Sequence, residues 1–145
     1  MNWTYQNKDI NCIEDFGEPT PYGFAYIINN INTGAFYVGR KILQNNIKRK
    51  IGKREREREG IRNRIERIQK ESNWKTYYGS NQLLIEHVKT QGEDNFKREI
   101  LQLAFSKKQL TYLETKYQFT LNVLEDPLSM NDTILGKFYK KDFNQ

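Results

Sequence analysis

Two tyrosines on neighbouring predicted strands and one carboxylate on a predicted helix are the side chains best placed for chemistry. Tyr26 and Tyr37 lie on the two strands of a predicted hairpin, and the second strand is followed at once by Arg40 and Lys41. Glu114 lies beside the apolar stripe of its helix, where a carboxylate is costly unless it is paired or binds a cation. Hairpin tyrosines commonly serve only as packing residues, so any function for this pair depends on what the rest of the chain supplies.

The elements that must position these residues follow from hydrophobic periodicity and from turn signals. Aromatic and β-branched residues on either side of the polar turn 29–34 predict the hairpin. Together with one further strand and two helices, this pattern predicts an α+β fold: a small, mainly antiparallel sheet of three strands, flanked by helices. The predicted strands are 24–28, 35–39 and the second half of 96–105, and the predicted helices are 81–91, with Ser80 as its N-cap, and 107–122.

The chain has room for one domain with shorter segments around it. We expect residues 1–21 to form an N-terminal arm that wraps the domain, with Trp3 as an anchor on the core. Residues 22–135 form the predicted domain, interrupted by a basic insertion at 42–71. Residues 136–145 form a basic, aromatic C-terminal tail.

The insertion has the most unusual composition in the chain. Residues 48–70 contain eleven Lys and Arg against four Glu, a local charge of +7 that exceeds the +6 of the whole protein. Its isoleucines recur at intervals of three and four residues, which predicts a helix with a break near Gly60. Such a helix is either a solvated charged surface or a surface that binds phosphates. The candidate DNA-binding residues are Lys48, Arg49, Lys50, Lys53, Arg54, Arg58, Arg62 and Lys75.

The overall charge favours a polyanionic partner, with nucleic acid ahead of an anionic membrane. No run of residues approaches the length of a membrane span, and the N-terminus lacks a secretory signal pattern. Cys12 is the single cysteine, so the chain can form no internal disulfide and has no cysteine-based zinc site. These features predict a cytoplasmic protein.

Several motifs in the same order resemble the GIY-YIG nuclease family, in particular its phage-encoded members of the homing-endonuclease type. Phe24-Ala25-Tyr26 stands where Gly-Ile-Tyr is usual, and Tyr37-Val38-Gly39 forms the second motif. Tyr77-Tyr78-Gly79-Ser80, Tyr112-Leu113-Glu114 and Asn131 then follow in register. The resemblance covers roughly residues 22–135, and the presence of Glu114 and Asn131 in register makes it more specific than the two tyrosine motifs alone.

The resemblance implies a metal-dependent DNA endonuclease that hydrolyses phosphodiester bonds. In this family a helix glutamate holds one divalent ion, a role that falls to Glu114, and the ion would be Mg²⁺ or Mn²⁺. A strand tyrosine serves as general base, which leaves the choice between Tyr26 and Tyr37. Since a free tyrosine has a pKa of about 10, nearby cations must help it to lose a proton, and Arg40 and Lys41 are placed to do so.

Two further residues receive roles from the resemblance: Asn131 closes the site near the tyrosines, and the Tyr78 hydroxyl assists. The family commonly carries an arginine on the helix after the second motif, but the insertion interrupts that region here. Arg49 and Lys75 are candidates for this arginine by position, behind Arg40 and Lys41.

The implied partner is DNA, double-stranded by expectation, in the cytoplasm of a bacterial host of the phage. Because the chain has no room for a separate recognition domain, specificity must come from the insertion, the termini or a homodimer. Two alternatives stay open. One is a non-catalytic module that binds nucleic acid or protein on a degenerate GIY-YIG scaffold, and the other is a protein that oligomerises through the isoleucine stripe.

Overall fold

The computed structural model describes residues 2–143, which form nine strands and three α-helices. Met1 of the predicted arm and residues 144–145 of the predicted tail lie outside the described range. Short 3₁₀ turns occur at Ile13–Phe16, Trp74–Thr76, Glu93–Asn95 and Lys140–Asp142. The strands are β1 Trp3–Tyr5, β2 Lys8–Ile10, β3 Gly23–Asn30, β4 Phe36–Ile42, β5 Gln44–Lys50, β6 Ile65–Glu71, β7 Phe96–Ala104, β8 Thr133–Ile134 and β9 Phe138–Tyr139; the helices are α1 Lys53–Glu59, α2 Gln82–Gln91 and α3 Lys107–Thr120.

The α+β class is confirmed, but the main sheet has five strands in the order β2-β1-β7-β3-β4, where the sequence predicted three. The two extra strands come from the N-terminal arm, because β1 pairs in parallel with β7 and antiparallel with β2. Trp3 on β1 is 1% exposed, which confirms its predicted role as an anchor on the core. Strands of three residues are too short to show the alternation by which a strand is recognised in a sequence.

The predicted hairpin is confirmed as β3 and β4, which pair antiparallel with Tyr26 opposite Gly39. β3 extends beyond its predicted limits at both ends, whereas β4 begins one residue later than predicted and continues to Ile42. The turn is held by Asn30, whose side-chain oxygen accepts hydrogen bonds from the backbone N–H groups of Asn32 and Thr33. This asparagine stabilises the tight connection that brings the two tyrosine strands together.

The predicted helical insertion is wrong. Residues 44–71 form a β-ribbon, defined as β5 and β6 paired antiparallel outside the main sheet, and only the seven residues of α1 at its far end are helical. Ile47 lies opposite Ile68, whereas Ile65 lies opposite Lys50 on the other face of the ribbon, so the stripe expected on one helix face does not exist. The break near Gly60 is confirmed, since α1 ends there and Gly60 has the left-handed φ of 69° that favours glycine.

The main sheet is covered on both faces. Helix α3 packs against β3, β4 and β7 on one face, where its Leu110 and Leu113 bury Ala25 and Ala104. An aromatic cluster that includes Trp3, Tyr26 and Trp74 fills the other face beneath α2. Across residues 2–143, no helix is both long and apolar enough to cross a membrane.

Candidate active site

Strand β4 lies at the edge of the main sheet, and its alternating side chains face two different layers. Tyr37, Gly39 and Lys41 face the aromatic layer, whereas Val38 and Arg40 face α3. A side chain from either layer can therefore reach the outer edge of β4. The candidate site lies along this edge.

A pocket of about 330 Å³ occupies that position. It brings together four residues that the sequence singled out: Tyr37, Arg40, Glu114 and Asn131. The remaining lining residues come from the start of α2, from α3 and from the segment before and through β8: Asn81, Thr111, Gln118, Asp132, Thr133 and Leu135.

The two hairpin tyrosines differ sharply in exposure. Tyr26 is 1% exposed, and its hydroxyl crosses over Gly39, where an added Cβ would lie only 2.5 Å from that oxygen. Glycine is therefore required at this position of β4 by the close approach of Tyr26. Tyr37 is partly exposed and lines the pocket, with its hydroxyl 3.2 Å from the Oγ of Ser80.

Both phenols hold their protons more tightly than a free tyrosine does. Burial raises the pKa of Tyr26 well above its usual value, and the nearby Tyr77 and Tyr37 add to the effect. Burial also raises the pKa of Tyr37, but the hydrogen bond with Ser80 opposes that shift. Of the two, Tyr37 is the more accessible phenol, and it is the one whose hydroxyl has a partner at the pocket side, Ser80.

The sequence predicted Ser80 as the N-cap of α2, but Ser80 does not cap the helix, so its hydroxyl is available to Tyr37. The cap is Asn81, whose side-chain oxygen accepts a hydrogen bond from the backbone N–H of Leu84. Ser80 is left outside the helix, and its hydroxyl points to Tyr37. The cap prediction is therefore wrong by one residue.

Glu114 and Arg40 form an ion pair at the pocket, with 3.7 Å between the Arg40 Nε and the Glu114 Oε1. Arg40 also donates a hydrogen bond to the hydroxyl of Thr111, one turn earlier on α3. Burial raises the pKa of Glu114, and the Arg40 guanidinium opposes this rise. The carboxylate thus lies at the rim of the core, as its place beside Leu113 predicted, and Arg40 compensates part of its desolvation.

Asn131 is 2% exposed and contacts β4 through both atoms of its carboxamide. Its Oδ1 accepts a hydrogen bond of 2.9 Å from the Val38 N–H, and its Nδ2 donates one of 2.8 Å to the Val38 C=O. Gln118 on α3 donates a second hydrogen bond to the same carbonyl. Asn131 therefore holds β4 at Val38, between Tyr37 and Gly39.

Lys41 and Tyr78, both predicted for the site, lie outside the pocket. The Lys41 ammonium lies 4.1 Å from the centre of the Tyr77 ring and donates a hydrogen bond to Asn73. The Tyr78 ring is buried beneath the Arg98 guanidinium, 4.2 Å from its centroid.

Tyr77, rather than Tyr78, reaches the hairpin tyrosines. Its ring meets that of Tyr26 edge-on, with 6.0 Å between the centroids. The sequence contains the two tyrosines side by side and gives no periodic pattern to choose between them, because they follow a 3₁₀ turn rather than lie on a regular element.

The basic residues proposed for DNA binding are mostly exposed, but two already have acidic partners. Arg49 bonds the carboxylates of Glu55 and Glu66, and Lys75 lies 3.6 Å from Glu71. Neither residue lines the pocket, so neither positional candidate for the family's helix arginine lies at the site. The proposed DNA-binding residues with exposed side chains are Lys48, Arg49, Lys50, Lys53, Arg54, Arg58, Arg62 and Lys75.

The pocket offers few donors for a metal ion, and they are hard ones. Glu114 and Asp132 supply carboxylates, and Thr111 and Thr133 supply hydroxyls. Within residues 2–143, no group of three or more His, Cys, Asp or Glu side chains converges on one point. This set fits Mg²⁺ or Mn²⁺, which bind through one or two carboxylates and complete their shell with waters and phosphate oxygens.

A comparison with protein families matches residues 3–142 to the model described as "Putative endonuclease segE, GIY-YIG domain". No curated protein and no solved structure matches the chain. The family match includes β1 and β2, so it extends beyond the predicted limits of the resemblance at 22–135. Because it covers almost the whole chain and agrees with the tyrosine motifs on β3 and β4, the protein belongs to the GIY-YIG nuclease family.

Proposed function

We propose that the protein is a metal-dependent DNA endonuclease that hydrolyses phosphodiester bonds at the edge of β4. The observation that carries this proposal is the convergence of the Tyr37 hydroxyl, the Arg40 guanidinium and the Glu114 carboxylate on one pocket. Hydrolysis of a phosphodiester needs a positioned water, positive charge on the phosphate and a group that accepts the water's proton. The three side chains match these three needs.

Glu114 is the proposed ligand of the divalent cation, Mg²⁺ or Mn²⁺. When bound, the cation would supply positive charge to the scissile phosphate. Arg40 holds the Glu114 carboxylate from one side and carries the second positive charge of the pocket. Its guanidinium suits a phosphate oxygen because it offers several fixed N–H donors.

Tyr37 is the proposed general base, in preference to Tyr26. Its hydroxyl is accessible from the pocket and lies beside the Ser80 hydroxyl, so the phenolate formed by loss of its proton can accept the proton of the attacking water while Ser80 donates a hydrogen bond to it. Tyr26 lacks this access because its ring is buried and its hydroxyl lies over Gly39. Because the pKa of Tyr37 is raised, positive charge from Arg40 and the cation must favour the loss of its phenolic proton.

The other predicted residues receive supporting roles. Asn131 keeps β4 in place, and Lys41 orients Tyr77 against Tyr26. Tyr78, buried under Arg98, helps to position the segment that carries Tyr77. The exposed cations of the insertion attract the phosphate backbone of DNA.

One observation favours a second candidate, a non-catalytic binding module: the first motif departs from the family pattern, with Phe24-Ala25-Tyr26 in place of Gly-Ile-Tyr. Both Phe24 and Ala25 are fully buried, so the departure changes the core rather than the pocket. A non-catalytic module would bind DNA in a salt-dependent and metal-independent way and would not cleave it.

A plasmid-nicking assay with Mg²⁺, with Mn²⁺ and with a chelator decides between the two. We expect cleavage only with the metals, and its loss in Glu114→Ala with DNA binding intact. The exposed Glu86 on α2 provides a matched control, because Glu86→Ala removes a carboxylate far from the pocket and should leave cleavage unchanged. Full nicking by Glu114→Ala would refute the metal site, and a wild-type protein that binds but never cleaves would support the binding module.

A further inference from the structure

We propose that the β-ribbon of residues 44–71 enters the major groove of duplex DNA with the face that carries Lys48, Lys50 and Arg67. We call this the basic face. The inference rests on the proposed nuclease function, which supplies the duplex. The inference goes beyond that function by naming the surface, the groove and the residues that hold the substrate.

The two faces of the ribbon differ in charge because side chains alternate along each strand. Lys48 lies opposite Arg67 in the register, and Lys50 is two residues further along the same face. All three are exposed, and none of them forms an ion pair within the described part of the chain. Their charges are therefore available to phosphates.

The opposite face is neutralised and partly covered. Its Arg49 bonds Glu66 across the ribbon and Glu55 on α1, so α1 folds against this side. Ile47 and Ile68 form a cross-strand apolar pair on the same face. An arginine with two carboxylate partners holds the ribbon together and has little charge left for DNA, so Arg49 is removed from the candidate DNA contacts.

The shape of the ribbon fits one groove. Two paired strands lie about 4.8 Å apart, and the major groove, about 12 Å wide, admits a two-stranded ribbon, whereas the minor groove is only about 6 Å wide. Asn46 and Gln69 lie opposite each other on the basic face. Carboxamides of this kind can donate to and accept from base edges.

The base of the basic face lies beside the segment that leads into α3, the helix that carries Glu114. Arg40 and Ile42 on β4 face α3, and Gln44 and Asn46 continue this side on β5, where they line a cleft with Phe105 just before α3. The base of the ribbon is held to the domain by Ser72, which bonds the backbone carbonyls of Ile42 and Leu43. A duplex on the basic face therefore runs past the α3 side of the sheet, where Arg40 and Glu114 lie.

Two triple variants test the basic face against net charge. The first is Lys48→Gln, Lys50→Gln and Arg67→Gln; the second, matched in charge, is Lys8→Gln, Lys89→Gln and Lys97→Gln, three exposed lysines outside the insertion. Affinity for a short duplex is measured by fluorescence anisotropy across salt concentrations, in chelator. We expect the first triple to reduce the salt slope by about 2.7, or about 0.9 for each lost phosphate contact, and to weaken binding on the order of 10²-fold at ~0.1 M salt.

The control triple should keep the wild-type slope. Equal losses in both triples would show attraction by net charge alone, and an unchanged first triple would place the duplex elsewhere; either result overturns the proposal. A charge-preserving triple, Lys48→Arg, Lys50→Arg and Arg67→Lys, should bind like the wild type. If it bound as weakly as the first triple, a distorted ribbon rather than lost charge would be the cause, and the proposal would fail.

Competition identifies the groove and the kind of nucleic acid. We expect methyl green, which occupies the major groove, to displace the protein, and distamycin, which occupies the minor groove, to leave it bound. The reverse order, or equal affinity for a single strand, would overturn the proposal. Because binding is measured in chelator, these results do not depend on cleavage, so a protein that binds through the basic face but never cuts would refute only the nuclease function.

Discussion

The carboxamide of Asn131 pairs with both backbone groups of Val38, as the backbone of a neighbouring strand would. The main chain of the segment before Asn131 makes the same kind of contact with β4. The N–H of Phe36 donates to the carbonyl of Leu128, and the carbonyl of Phe36 accepts from the N–H of Met130. The side chain of Asn131 therefore continues a ladder at the point where the backbone turns away. Tyr37 lies between the two bonded positions, so this ladder determines where its hydroxyl points.

Asn131→Leu should destabilise the fold by about 2–4 kcal/mol. The substitution leaves the N–H and C=O of Val38 buried, with the carbonyl retaining only its bond from Gln118, and an unsatisfied buried group costs about 1–3 kcal/mol. Urea unfolding monitored by circular dichroism measures the difference. Asn63, which is exposed, provides the control, because Asn63→Leu should change stability by less than about 0.5 kcal/mol. A loss of stability in Asn131→Leu no larger than that in Asn63→Leu would contradict the role of Asn131 in holding β4 at Val38.

Tyr37→Phe should slow Mg²⁺-dependent cleavage by on the order of 10²-fold or more, if the phenol acts as general base. Single-turnover nicking at saturating protein measures the chemical step without the binding step. Ser80→Ala should cause a smaller loss in the same assay, because it removes the hydrogen-bond partner but leaves the phenol. An unchanged rate in Tyr37→Phe would move the role of base to Tyr26.

Gly39→Ala should destabilise the protein by about 1–3 kcal/mol, the usual range for overpacking. Its Cβ would lie 2.5 Å from the Tyr26 hydroxyl oxygen and 3.0 Å from the Tyr37 ring, so one ring must move. Combining Gly39→Ala with Tyr26→Phe should recover part of the loss, since the nearest atom is then gone. Purely additive losses in this double-mutant cycle would show that the hydroxyl is not what excludes a side chain at position 39.

The buried phenol of Tyr26 should make the fold sensitive to alkali. Burial raises the pKa of Tyr26 well above the usual 10.0, so the native state keeps this proton at a pH where the unfolded chain has lost it. Stability from this group is complete below about pH 10 and falls as the pH rises beyond that value. The Tm of Tyr26→Phe should therefore decline less than that of the wild type between about pH 9 and pH 11.

The exposed Tyr112 serves as the matched control for this measurement. Tyr112→Phe should follow the wild-type Tm over the same pH range, because its phenol is exposed in the native state as it is in the unfolded state. If Tyr26→Phe and Tyr112→Phe gave the same alkaline slope as the wild type, the phenol of Tyr26 would have to be in contact with water.

The sequence located the hairpin, and with it Tyr37 and Glu114 as candidates, because these depend on local patterns. Tyr26 and Tyr37 lie on strands with clear aromatic and β-branched composition, and Glu114 follows the apolar spacing of α3. The ribbon could not be recognised in the same way. Ile47 and Ile68 are 21 residues apart in the sequence, and they meet only because the chain reverses between them, while their spacing with Ile51, Ile61 and Ile65 is equally typical of a helix.

The choice between Tyr77 and Tyr78 was beyond sequence reasoning for a related reason. Which of two adjacent side chains points inward depends on the backbone direction as it leaves the 3₁₀ turn at Trp74–Thr76. That direction is set by Arg98 on β7, which donates hydrogen bonds to the carbonyls of Lys75 and Tyr77. A contact between segments this far apart has no signature in either one alone.

The parallel pairing of β1 with β7 has a consequence for the order in which the chain assembles. Trp3 lies opposite Arg98, so β1, although it can pair early with β2, cannot join the main sheet until β7 has left the ribosome. Contacts over such a separation close slowly because the loop between them must lose its freedom first. The tyrosine hairpin can form early from neighbouring residues, but the sheet that supports it, and the pocket beside it, can be completed only after β7, α3 and Asn131 have been made.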